Sequence, residues 1–391
     1  MNALEFCTRY ATERKGTGCV KWDGLNARFG EEGLTAMWVA DMEFRACEGV
    51  IEAMQKRIAH GVFGYTLTQD DYYNTFFNWQ ESRHGYRPKK EYIRFSVGVV
   101  SALYSFVKVF TQPNDAIIML MPVYYPFHNA VLNNGRKLVP TELINTNGVY
   151  SIDYDQFEKN IISNDVKMFI QCSPHNPVGR VWRSEELERV LEICARHNVL
   201  VVSDEIHQDI IMGANKQIPA AIVGGGKYID NIITVTAASK TFNLAGLPNS
   251  HIIIENEALR QRYDEYSKTV NKAEPNIMSM VATQAAYEHG EEWLEGALAL
   301  VAQNYEYACR ELSEHAPKIV ISPMEGTYLM WLDLRAYLKP TEVKEFMQTK
   351  CRVAIDYGEW FGEKSVGFIR LNLATDPKNV ELSVQNIIAN L

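Results

Sequence analysis

Three apolar, β-branched runs, Val166–Cys172, Val199–Ser203 and Ile232–Thr236, each stop abruptly at polar residues, and a stretch with helical spacing separates the first two. In that stretch Leu187, Val190, Leu191 and Cys194 follow a 3.6-residue period behind Ser184, and Glu185 and Glu186 occupy the first turn, where acids suit the helix dipole. Strand, helix, strand in this order requires parallel strands and a right-handed crossover. The expected fold class is therefore α/β, a mostly parallel sheet sandwiched by helices, with a smaller α+β domain. Ligands of open parallel sheets collect outside the carboxyl ends of the strands. There the sequence delivers Asn176 in SPHNPVGR, Asp204 and His207 in SDEIH, and Lys240 in TAASKTF.

Each residue also has an ordinary reading: a solvated loop lysine, a capping aspartate, a core histidine. Held between a strand end and the apolar Phe242 and Leu244, however, a lysine is poorly hydrated. Its pKa falls and its amine becomes a nucleophile or base. Upstream, the strand candidate Ile93–Ser96 is followed by Gly98, Val99, Val100 and Ser101 and a helical pattern through Val109. A glycine turn into a helix gathers free N–H groups and the positive end of the helix dipole, which makes an anion site. Ala116–Met121 reads as a buried strand ending at PVYYPF, which puts Tyr124 at a strand's carboxyl edge. Near the end, the strand-like Phe368–Ala374 carries Arg370.

The remaining chain frames these positions. Residues 1–45 carry five glycines and read as mostly irregular. Helical patterns follow over Cys47–His60, Asp70–His84, Asn256–Thr269, Met278–His289, Glu291–Ala316 and Thr341–Lys350, with a strand at Thr327–Leu334. We expect an N-terminal segment, 1–45, belonging to the small domain, a large domain over 46–287 and a C-terminal small domain over 288–391. The formal charge of −9, with no basic block, excludes a polyanion such as nucleic acid as partner. Seven scattered cysteines without a CxxC pair suit reduced thiols. The sequence shows neither an apolar leader nor an eighteen-residue apolar run, so a cytoplasmic protein without a membrane segment is expected. His175 and Cys172 lack further ligands at suitable spacing, so no metal is expected.

A strand-end lysine, an acid on the neighbouring strand and a glycine turn at a helix N-terminus suit pyridoxal 5'-phosphate. On those residues, SPHNPVGRVW, VVSDEIH and SKTFNLAGL resemble the signatures of fold-type I enzymes of the aminotransferase class I/II superfamily. WVADMEF, HGVFGYT, PVYYPF, GTYLMWLD and RLNLAT narrow the resemblance to the MalY/PatB type of cystathionine β-lyase, from about residue 15 to 376. The resemblance implies that Lys240 is the Schiff-base lysine and a catalytic residue, with Tyr124 stacking on the cofactor and available for proton transfer. It further implies that Asp204 pairs with the pyridinium, that Asn176 and His207 reach the ring hydroxyl, and that Val99, Val100 and Ser239 hold the phosphate. Tyr65 would reach the phosphate from a partner subunit, hence a homodimer. Arg370 would hold the substrate carboxylate, with Val39 and Ala40 beside it. Ala237 departs from the pattern, standing where relatives commonly place a phosphate-binding hydroxyl. The implied activity is β-elimination from cystathionine or another cysteine S-conjugate; an aminotransferase or a cofactor-carrying regulatory protein are the alternatives.

Overall fold

The computed structural model describes residues 1–270 and 274–391. Its central sheet has seven strands: β1 (Ile93–Ser96), β2 (Ala116–Met121), β3 (Lys137–Glu142), β4 (Val166–Cys172), β5 (Leu200–Asp204), β6 (Ile232–Thr236) and β7 (Ser250–Ile253). Their spatial order is β1-β7-β6-β5-β4-β2-β3, and β7 runs antiparallel to both of its neighbours while the β6-to-β3 run is parallel. Alternate residues of β2 serve opposite faces. Ile118 and Leu120 pack with Phe157, Leu187 and Val190, whereas Ile117 and Met119 pack with Leu103, Phe106 and Ile233. Helices on both faces leave no solvated side, which is why these strands read as continuous apolar runs.

A second sheet is antiparallel throughout: β8 (Val320–Ile321), β9 (Leu329–Asp333), β10 (Asp356–Tyr357) and β11 (Phe368–Asn372), in the order β8-β9-β11-β10. The N-terminal segment joins the C-terminal region: Thr35 and Ala36 pair with Val353 and Ala354, and the Met37 N–H donates to the Ala354 carbonyl at 2.9 Å. Among the described residues no helix is long and apolar enough to cross a membrane.

The structure departs from the sequence reading in five places. Most of residues 1–45 lie outside helices and strands, as expected, but the segment does hold regular structure. A helix spans Ala3–Tyr10, closed by a capping box in which Asn2 and Glu5 exchange side-chain to backbone bonds. Its Phe6 ring meets Trp293 at 5.5 Å between centroids, so packing against the Glu291–His315 helix completes it. β7 and the helix Tyr154–Asn164 occupy stretches where no element was expected. The expected helix over Thr341–Lys350 is instead a 3₁₀ turn, a short α turn and a π turn in succession. The second strand of the parallel unit starts one residue later than expected, which makes Asp204 its last residue.

Candidate active site

The strand ends converge. Across the sheet Cys172 is registered with Asp204, and Asp204 with Val235, so the segments after β4, β5 and β6 open side by side. Lys240 follows β6 in a single helical turn, Ala238–Thr241, rather than in a loop. The turn is pinned from behind: the Thr241 hydroxyl donates to Asp209 at 2.8 Å, and Asp209 also accepts from Trp79 Nε1 at 3.0 Å and bonds His84 Nε2 at 2.8 Å. A cavity of about 250 Å³ lies in front of it, and Ala40, Val99, Val100, Tyr124, Asn176, Asp204, His207, Ser239 and Lys240 all line its wall. Arg370 reaches the same place through Asn176, whose Oδ1 accepts from the guanidinium at 2.8 Å. Tyr65 does not line this cavity; within one protomer it is fully exposed.

Burial sets the electrostatics. Enclosure by protein pushes the Lys240 amine down to about 8, against the opposing pull of Asp41, and its Nζ donates to the Ala40 carbonyl at 2.6 Å. Burial pushes Asp204 up to about 7, although its Oδ1 accepts the Ile206 N–H at 3.0 Å. It holds His207 well below its ordinary value, so that ring is neutral, and its Nδ1 is buried without a hydrogen-bond partner among the described residues. The Tyr124 hydroxyl is pushed up to about 12 and keeps its proton at neutral pH. Arg370 forms a buried ion pair with Asp356, and its Nε has no hydrogen-bond partner among the described residues.

At the far end Gly98 has φ 118° and ψ 150°, a conformation glycine alone adopts readily, and it leads into the helix Val99–Phe110. The first N–H groups of a helix have no intrahelical acceptor, so this end of the cavity offers donors and a positive dipole to an anion. Ala237 is buried, extended and outside the cavity wall, while Ser239, two residues on, lines it. Ser239 is thus the hydroxyl residue of this stretch on the cavity wall.

Sequence reasoning missed three side chains of the site. Tyr328 is buried with its hydroxyl donating to the Ala40 carbonyl at 2.8 Å. Asp356 lies opposite Arg370 in register, and Asp41 stands near Lys240. Tyr328 was visible inside GTYLMWLD, but a strand pattern does not say which pocket a side chain enters. Asp356 sits in a two-residue strand, too short for any periodicity.

The model of the aminotransferase class I and II family matches residues 39–387. The chain belongs to that family. Within this family it is 37% identical over 380 residues to cystathionine beta-lyase PatB of Bacillus subtilis (strain 168), covering 97% of this chain and 98% of that protein. Cystalysin from Treponema denticola, whose crystal structure contains a pyridoxal 5'-phosphate cofactor, superposes with a TM-score of 0.93 at 34% identity and 97% coverage of both chains. The PLP-bound C-S lyase from Staphylococcus hominis gives 0.91 at 34%, again covering 97% of each. These likenesses bear out the expected α/β fold class and the family resemblance.

Proposed function

We propose that the protein is a pyridoxal-phosphate-dependent carbon–sulfur β-lyase, cleaving cystathionine or a related cysteine S-conjugate to a thiol, pyruvate and ammonia. The observation that carries this is Lys240 and Asp204 together on the wall of one cavity, with a helix N-terminus at its far end, in a chain 37% identical to a cystathionine beta-lyase.

The residues present fit the cofactor. A buried carboxylate with a raised pKa wants a cationic partner, which a protonated pyridine nitrogen is. The unpartnered His207 Nδ1 and the Asn176 amide suit a ring hydroxyl, and the Gly98 turn suits a phosphate. When bound, pyridoxal phosphate supplies an electron sink that makes the substrate α-proton removable and lets the β-thiolate leave.

The chain's own groups would then act in turn. Val99 and Val100 N–H groups and the Ser239 hydroxyl would hold the phosphate, Tyr124 would cover the ring, and Asp204 would keep the ring nitrogen protonated. Arg370 is a planar fork suited to the substrate α-carboxylate, close to Val39 and Ala40. Lys240 would hold the cofactor through its Nζ, and as a free amine it would take the α-proton at that atom. An amine whose pKa lies near 8 is neutral in a useful fraction at physiological pH. Lys240 or Tyr124 returns a proton to the departing sulfur.

The reading includes a cytoplasmic homodimer in which Tyr65 of each protomer reaches the other's phosphate site. It also divides the chain into a large domain over 46–287 and a small one built from 288–391 with 1–45. Its test is incubation with L-cystathionine with and without a keto acid. Pyruvate and thiol should appear catalytically without one. Product formed solely in the presence of keto acid would mean an aminotransferase, and absence of turnover a regulatory role.

A further inference from the structure

Four consecutive carbonyls from Trp38 to Asp41 are each held from outside the segment. Arg370 donates to Trp38 at 3.4 Å, Asn372 to Val39 at 2.6 Å and to Asp41 at 2.7 Å. The Ala40 carbonyl between them takes two donors, Lys240 Nζ at 2.6 Å and the Tyr328 hydroxyl at 2.8 Å. Tyr328 is itself fixed. It is 1% exposed, its ring stands edge-on to His207 at 6.0 Å, and its carbonyl accepts the Leu373 N–H at 2.9 Å. One residue earlier, the Thr327 N–H donates to Ile210 at 2.8 Å, in the segment after β5.

We propose that the Ala40 carbonyl is the resting acceptor of the Lys240 amine whenever that amine is not covalently engaged, and that Tyr328 is a positioning residue which, by sharing the carbonyl, aims the amine and weakens its hold on a proton. The inference rests on the reading of Lys240 as the proton carrier. A carbonyl has two lone pairs, and a donor on one makes the oxygen a poorer acceptor for the other. An ammonium gains more from that acceptor than a neutral amine does, so the phenol's competition tilts Lys240 towards the neutral form. The charged groups facing Lys240 are Asp41, Asp204 and Asp356, which favour the ammonium, and Arg370, which opposes it; His207 and Tyr124 face it uncharged. Burial and Tyr328 work against the three acids. The clamp on residues 38–41 keeps the carbonyl from swinging away to escape the competition.

The test needs no turnover. The full chain, stripped of cofactor, is reductively methylated with formaldehyde and cyanoborohydride between about pH 6 and about pH 10, and Lys240 is followed by peptide mass. Tyr328→Phe keeps the ring and removes the phenolic donor. The midpoint of Lys240 modification should move to higher pH by about one unit, a roughly tenfold slower reaction below it. Replacing Tyr328 with 3-fluorotyrosine, a stronger donor that keeps ring and hydroxyl, should move the midpoint the other way. This second arm decides the matter even if the phenylalanine variant folds poorly. Profiles that superimpose on the wild type, or two variants that shift in the same direction, overturn the proposal. Neither result bears on the lyase assay with cystathionine, so failure of this inference is distinguishable from failure of that reading.

Discussion

A carboxylate as enclosed as Asp204 has lost most of its hydration and keeps one backbone donor, the Ile206 N–H. Its pKa therefore rises from 3.8 to about 7, with burial the largest cause and the neighbouring Glu205 adding to it. A carboxyl whose folded pKa is raised stabilises the chain below its unfolded pKa. That contribution is lost as pH rises from about 4 towards 7 and stays lost above. Asp204→Asn, which keeps the shape and the Ile206 bond, should accordingly stabilise the cofactor-free chain at pH 8 by about 2–4 kcal/mol. The gain should vanish near pH 4, as read from urea midpoints at the two values. The same variant should lower lyase kcat by about 10²-fold or more, because no charge remains to keep the cofactor nitrogen protonated. A variant equally stable to wild type at both pH values would show that Asp204 is not strained by burial.

At the scale of single elements, the turn into the helix Val99–Phe110 is the most exacting piece of backbone near the site. A Cβ on Gly98 would meet nothing within 4 Å among the described residues, so the obstacle to any other residue is the φ of 118°. Gly98→Ala should cost about 1–3 kcal/mol of stability and, by relaxing the turn, weaken cofactor binding at least about tenfold. Thermal melting and cofactor titration would measure the two; unchanged affinity would remove the phosphate from this turn. Elements whose sequence carries their own signal were legible. β1, β2, β4 and β6 end where the apolar runs end, and so the residues that follow them were placed before any coordinates. Elements completed by distant partners were not. β7 has only four residues and is defined by pairing with β1 and β6, and the single turn holding Lys240 owes its shape to the Thr241–Asp209 bond. Within the site the residues at strand ends could be read, whereas Tyr328, just before β9, and Asp356, in β10, enter from the side of the second sheet, whose approach no local pattern encodes.

At the scale of the whole molecule, one stretch remains unaccounted for within a single protomer. Ile58, Val62, Phe63, Tyr65 and Leu67 are all more than half exposed, between the end of the Glu48–His60 helix and the start of the Asp70–His84 helix. Contiguous apolar surface of this kind marks an interface; in the proposed shared-site reading a second copy of the chain covers it and brings Tyr65 to a phosphate seat. Charge placed there should separate the two effects of assembly. Phe63→Asp combined with Leu67→Asp should convert a dimer to a monomer in sedimentation and lower cofactor affinity together with it. Tyr65→Phe removes one hydroxyl and leaves the apolar face intact. It should preserve the dimer and weaken cofactor binding by about tenfold, roughly 1.4 kcal/mol for one hydrogen bond to a charged group. If the double variant dissociates while its cofactor affinity stays at the wild-type value, each protomer holds its phosphate unaided and the shared-site arrangement is wrong. If it remains a dimer, this stretch is not the contact and another surface must join the subunits.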